Sequence, residues 1–203
     1  MIGGLYSKDG YSMALSKPHN RKPVHYRHIQ CNGYLREDGL WDIEAHLTDD
    51  KGYPFPTLQR GVLQRGELVH ELWLRLTLDN ELVIRDVEAS MPITPFSICS
   101  QIENNCKRLI GLQIGRGWMQ KAKELVGGVE GCSHLLELLR PMATTAIQTI
   151  YPYLNFSEDG RFPISNNVLN SCHSFSDRND IIKKFWPEKY QGQRLDSQEV
   201  SDE

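Results

Sequence analysis

No two cysteines in this 203-residue chain are closely spaced: they stand at Cys31, Cys99, Cys106, Cys132 and Cys172. That excludes a CxxC-type metal or redox motif, and an odd number without repeated spacing does not read as a disulfide framework. The set fits a reducing compartment, so a cytoplasmic location is expected. No apolar run approaches the length of a membrane span, so no membrane partner is expected. The first residues, MIGGLYSKDGYSMALSKPHN, have no continuous hydrophobic stretch and do not read as a signal peptide. Charge of one sign is also missing. A net charge of −3 and a pI near 6.2 leave no basic stripe, which argues against a nucleic-acid partner. Internal repeats and low-complexity blocks are absent. The apolar fraction, 39%, is held down by two polar ends.

Between those ends two periods follow one another. Residues 1–24 read as a flexible arm, 25–187 as one α+β domain, and 188–203 as a disordered tail. In LWDIEAHL, Trp41, Ile43, Ala45 and Leu47 alternate with polar residues, the mark of a half-buried strand. HYRHIQCNGYL is its expected partner, with Glu37, Asp38 and Gly39 as the turn. DDKGYPFPTLQRG reads as a loop. A second hairpin follows, in which Leu68, His70, Leu72, Leu74, Leu76 and Leu78 share one face and Asp79, Asn80 and Glu81 turn the chain. Pro92 and Pro95 are expected to end its return strand, because proline cannot donate to a ladder.

After Pro95 the period becomes helical: Ile98, Cys99, Ile102, Cys106 and Leu109 form one stripe. A short helix, MQKAKELV, precedes a glycine-rich turn. From Cys132, an apolar face of Leu135, Leu138, Leu139, Met142, Ala146, Ile147 and Ile150 marks a longer helix that Pro141 should kink or divide. DRNDIIKKFW reads as a last helix with Asp177 as its cap. Strands followed by helices imply an antiparallel sheet of two hairpins with helices packed on one face.

The stretch GGVEGCSHLLELL concentrates the chemistry. Its glycines deliver Cys132 and His134 to a helix start, where free N–H groups and the helix dipole favour a thiolate. His70 is the one polar member of a leucine face and must satisfy its ring nitrogens. Cys99 opens the preceding helix, while Cys106 reads as core. Cys172, in NSCHSFSD, offers a further ligand. Cys31 and His28 have weaker support, and Arg116 and Trp118 either bind an anion or pack a turn. Thiolates with imidazoles suit zinc or an iron–sulfur centre.

DGLWDIEAHLTD, HELWLRLTLDNELVIRDVEASM, LIGLQIGRGW, GGVEGCSHLLELL, ATTAIQTI and NSCHSF, over roughly residues 25–187, resemble a bacterial family of uncharacterised proteins, domain of unknown function 2889. Residues 66–150 more remotely resemble iron–sulfur cluster scaffold proteins of the NifU type. That resemblance implies the scaffold fold, places two scaffold cysteines on Cys99 and Cys132, and sets the scaffold aspartate near His70. Leu68 stands where the first scaffold cysteine would be, and Gly131 where its histidine would be. Three functions follow. The first is a metal-binding or iron–sulfur-scaffold-like protein using His70, Cys99 and Cys132, with His134 or Cys172 as fourth ligand. The second is a thiol-dependent enzyme with Cys132 as nucleophile and His134 or His70 as base. The third is a non-catalytic interaction protein. A protein partner or a small-molecule ligand stays open.

Overall fold

The computed structural model describes residues 16–156, 163–164 and 168–192. Residues 1–15 of the expected arm and 193–203 of the expected tail lie outside the described residues. The fold is α+β. Four strands form one antiparallel sheet: β1 (Tyr26–Leu35), β2 (Trp41–Asp50), β5 (Leu68–Leu78) and β6 (Ile84–Ile93), in the order β1-β2-β5-β6. Gly39, at φ 83°, closes the first hairpin at the expected turn. Inward residues of β2 and β5 are fully packed: Ile43, Ala45, Leu47, Leu72, Leu76 and Leu78 are each 0% exposed. Alternation at period two produces that face, and the helices cover it.

Helix α2 (Ser133–Asn155) covers β1, β2 and β5, with Leu138, Leu139, Met142, Ala146 and Ile150 buried, and helix α1 (Trp118–Val126) packs against α2. Pro141 does not divide α2, which runs unbroken through it and through Pro152. The carbonyl that Pro141 presents instead accepts from Thr145 Oγ1 at 3.0 Å. Ile147 is 39% exposed, so the stripe is narrower than the pattern implies.

Other elements also depart from expectation. The loop after β2 contains a small ribbon, β3 (Phe55–Thr57) and β4 (Gly61–Leu63). Strand β6 continues through Pro92, because it is an edge strand and because Met91 and Pro92 bulge out opposite Leu72, where no ladder bond is required. Residues Ser97–Leu109 wind as a 3₁₀-helix, with Cys106 and Leu109 buried and Ile98 65% exposed. The last helix, α3, spans only Asp180–Phe185. Asn179, not Asp177, caps it by accepting from the Ile181 N–H at 2.7 Å. Asp177 instead exchanges hydrogen bonds with Asn170.

Candidate metal centre

At one end of the inward sheet face the hydrocarbon stops. Arg27, Asp49 and His70 stand in one row across β1, β2 and β5. Asp49 continues the series Trp41, Ile43, Ala45, Leu47, so that a carboxylate only 1% exposed ends a column of apolar side chains. A charge so placed must be paired. Arg27 pairs it bidentately, Nε and Nη2 donating to Oδ1 and Oδ2 at 2.8 Å each, while its Nη1 donates to Glu137 at 2.6 Å. His25 Nε2 lies 3.4 Å from Oδ1, and His70 Nδ1 lies 3.1 Å from Oδ2. The pairing of β2 with β5 skips Val69 here, and such a bulge re-aims neighbouring side chains.

Helix α2 brings a further group. The His134 ring lies 4.2 Å from that of His70, centre to centre, and its Nε2 is 3.8 Å from Asp49 Oδ2. On the other side, His134 Nδ1 is 3.7 Å from Cys132 Sγ. The glycine turn makes this approach feasible. A Cβ at Gly131 would sit 1.7 Å from the Val126 carbonyl oxygen, and one at Gly127 would sit 2.4 Å from that of Lys123. Only bare backbone can fold so tightly against the end of α1. Cys132 is the extended N-cap residue, and α2 proper begins at Ser133.

The charges of the site interlock. Burial pushes the Asp49 carboxyl up, but the Arg27 guanidinium, with His70 and His25, outweighs it and holds it below the ordinary aspartate range. Burial, then the neighbouring His134, keeps His70 below the usual imidazole value despite Asp49. Contact with Cys132 raises His134. Burial pushes the Cys132 thiol up, but the His134 ring and the backbone amides of Leu135 and His134 bring it below its usual value. In contrast, burial drives Cys106 up to about 11, with Cys132 and Glu103 adding to the effect.

Of the residues singled out in the sequence, His70 and His134 meet directly, and Cys132 stands behind His134. Asp49, His70 and His134 form a group whose ligand atoms all lie within 4.8 Å of one another; Cys99, Cys132 and Cys172 are not among its members. Cys99 is half-buried on the 3₁₀-helix against the core. Cys172 is exposed, at the cap of the short turn His173–Phe175. Cys31 is half-buried on β1, its thiol raised by burial, and His28 is exposed. Trp118 packs in the core at the start of α1, and Arg116 is exposed. Asp49, Arg27 and His25 are the residues sequence reasoning passed over.

A cleft of about 360 Å³ opens onto His25, Arg27, Asp49, His70 and His134, and the β3–β4 ribbon and the segment around Pro95 and Phe96 wall it. The family model described as a protein of unknown function (DUF2889) matches residues 25–148. The chain belongs to this family. No curated protein and no solved structure matches it. The matched span of the family includes His25, Arg27, Asp49, His70 and His134 at the cleft, and Cys132. No helix among the described residues is long and apolar enough to cross a membrane.

Proposed function

We propose that the protein binds a single divalent metal ion, zinc in the simplest case, through Asp49, His70 and His134. The observation that carries this is the convergence of two imidazoles and one carboxylate within 4.8 Å at the floor of a cleft. Two histidines and a carboxylate are a recurrent donor set for zinc and for non-haem iron, with positions left open to ligands. His70 adds a second argument. Its Nδ1 is buried without a hydrogen-bond partner although Asp49 Oδ2 is 3.1 Å away. A cation held between that nitrogen and the carboxylate would satisfy both. Arg27 does not exhaust Asp49, since each carboxylate oxygen has two lone pairs. Cys132 supports the site from behind, fixing the orientation of His134 through Nδ1 while Nε2 faces Asp49. A bound zinc would polarise a carbonyl or water.

Zinc titration of chelator-treated protein tests this. One equivalent should bind, and His70→Ala, His134→Ala and Asp49→Asn should each abolish retention. Cys132→Ser should weaken it roughly 10–100-fold, as loss of an orienting partner does. The iron–sulfur-scaffold reading needs thiolates, so loss of metal in Cys99→Ser or Cys172→Ser with retention in Asp49→Asn would reverse the assignment.

The contact of Cys132 Sγ with His134 Nδ1, with Asp49 beyond Nε2, favours a second reading: Cys132 as nucleophile and His134 as its base. The cleft is lined by His134 and not by Cys132, which makes this the weaker of the two. Rapid, selective alkylation of Cys132 in metal-free protein, undiminished in His70→Ala, would move the balance toward it. We further place the protein in the bacterial cytoplasm, a location its unpaired cysteines support. We take residues 25–187 as one folding unit; a fragment of that length should melt cooperatively.

A further inference from the structure

The cleft above Asp49 has two unlike sides, and together they define a ligand. We infer that it takes a small organic carboxylate with an apolar body of several carbons. This rests on reading the cleft as the functional site. The floor is the histidine–aspartate cluster. The outer wall is apolar and held open to solvent: Leu58 is 89% exposed and Phe96 41% exposed, with Phe55 beside them. Leu58 occupies the tip of the β3–β4 turn, where polar residues or glycine are usual. Neither segment is left to collapse. The Arg60 N–H donates to Thr57 Oγ1 at 2.9 Å and sets the turn, and the Ser97 N–H donates to Gln59 Oε1 at 2.9 Å and ties the Phe96 segment to it. A cleft whose lining surface is mainly apolar, with a few polar groups at its floor, is the make-up of a small-molecule site.

The sign of the ligand's charge follows from the cations. Arg27 is spent on Asp49 and Glu137. Lys51 lines the same cleft with its Nζ 5.1 Å from the Phe55 ring centre, and it has no carboxylate partner among the described residues. An unneutralised ammonium beside an aromatic wall favours an anionic head and repels a cationic one. A carboxylate head near Lys51 and the floor leaves the hydrocarbon against Phe55, Leu58 and Phe96.

The test is calorimetric titration of the full chain with acetate, butanoate, hexanoate and octanoate, with octylammonium as charge control, each with and without one equivalent of zinc. Affinity should rise roughly three- to fourfold per added methylene until the cleft is full. Octylammonium should bind at least tenfold more weakly than octanoate. Lys51→Met should weaken octanoate about tenfold, and Leu58→Ser with Phe96→Ser should flatten the chain-length dependence, while zinc binding stays as in the parent. No chain-length dependence, or equal binding of octylammonium, overturns the inference. Octanoate bound in the expected pattern by protein that takes up no zinc would sink the metal reading alone. Zinc bound without any octanoate response would sink the ligand inference alone.

Discussion

The two ends of the inward sheet face are built by one alternation and filled with opposite chemistry. At one end Trp41 pairs with Leu78, and Leu78 with Ile84, all buried and apolar. At the other, Arg27, Asp49 and His70 occupy the equivalent row. The contrast separates the source of stability from the source of chemistry. Hydrocarbon burial stabilises whatever it contacts, whereas a buried carboxylate is retained at a desolvation cost and needs partners to offset it. The polar end is the part of the sheet that folding alone does not explain.

Breaking the apolar end should have the largest effect on stability and the least on the cleft. Leu76 is fully buried, and Leu76→Ala should destabilise by about 2–5 kcal/mol. Urea unfolding measures the loss, and folded protein should still take up one zinc. The turn between the ends comes next. Gly131→Ala forces a methyl group onto the Val126 carbonyl and should cost about 1–3 kcal/mol while moving His134 off the floor. Its distinguishing outcome is a fall in zinc affinity of tenfold or more. Unchanged zinc binding would mean that the turn does not position the site.

Asp49→Asn reverses the weighting. The Arg27 side chain is 30% exposed and can recover hydration, so stability should fall by only about 1–2 kcal/mol. Zinc retention should vanish. A variant that loses stability as Leu76→Ala does but keeps its zinc would make Asp49 a structural pair with Arg27 and nothing more.

The difference between the two ends also explains what could be read from the chain alone. Both hairpins and their inward faces follow from period two, and His70 was conspicuous because it interrupts leucines. The glycines before Cys132 announced a tight approach, and they deliver His134 to the cleft. Asp49 was hidden by where the alternation was cut. Followed two residues past Leu47, the same pattern puts a carboxylate inward and across from His70. Arg27 and His25 carried no such signal, because edge strand β1 is only partly covered and shows no clean alternation. The Cys132 sulfur was expected among the ligands. The cap geometry instead sets it against the far nitrogen of His134, which spacing alone does not reveal. The β3–β4 ribbon was masked by Pro54 and Pro56, and the 3₁₀ winding by a hydrophobic stripe that reads as α-helical.

A second carboxylate sharpens the comparison with the smallest effect. Asp79, at the β5–β6 turn beside the apolar end, is bound only to structural groups. Its Oδ1 accepts from the Glu81 and Val83 N–H groups at 3.0 and 2.9 Å, and its Oδ2 from Arg85 Nε at 2.7 Å. Burial pushes its pKa up, but the Val83 amide and Arg85 outweigh it, so the folded value lies below the ordinary one. A depressed carboxylate stabilises the fold above its unfolded pKa, about 3.9, and loses that contribution as pH falls through the folded value. Asp79→Asn keeps one acceptor oxygen but not the charge, and should cost about 1 kcal/mol at pH 7. The gap between parent and variant, measured by urea unfolding, should hold from pH 8 to 5 and close progressively below about pH 4. Zinc and carboxylate binding should not change. A gap independent of pH would show that Asp79 acts through hydrogen-bond geometry rather than charge, and a change in zinc binding would show that the two ends of the sheet are coupled.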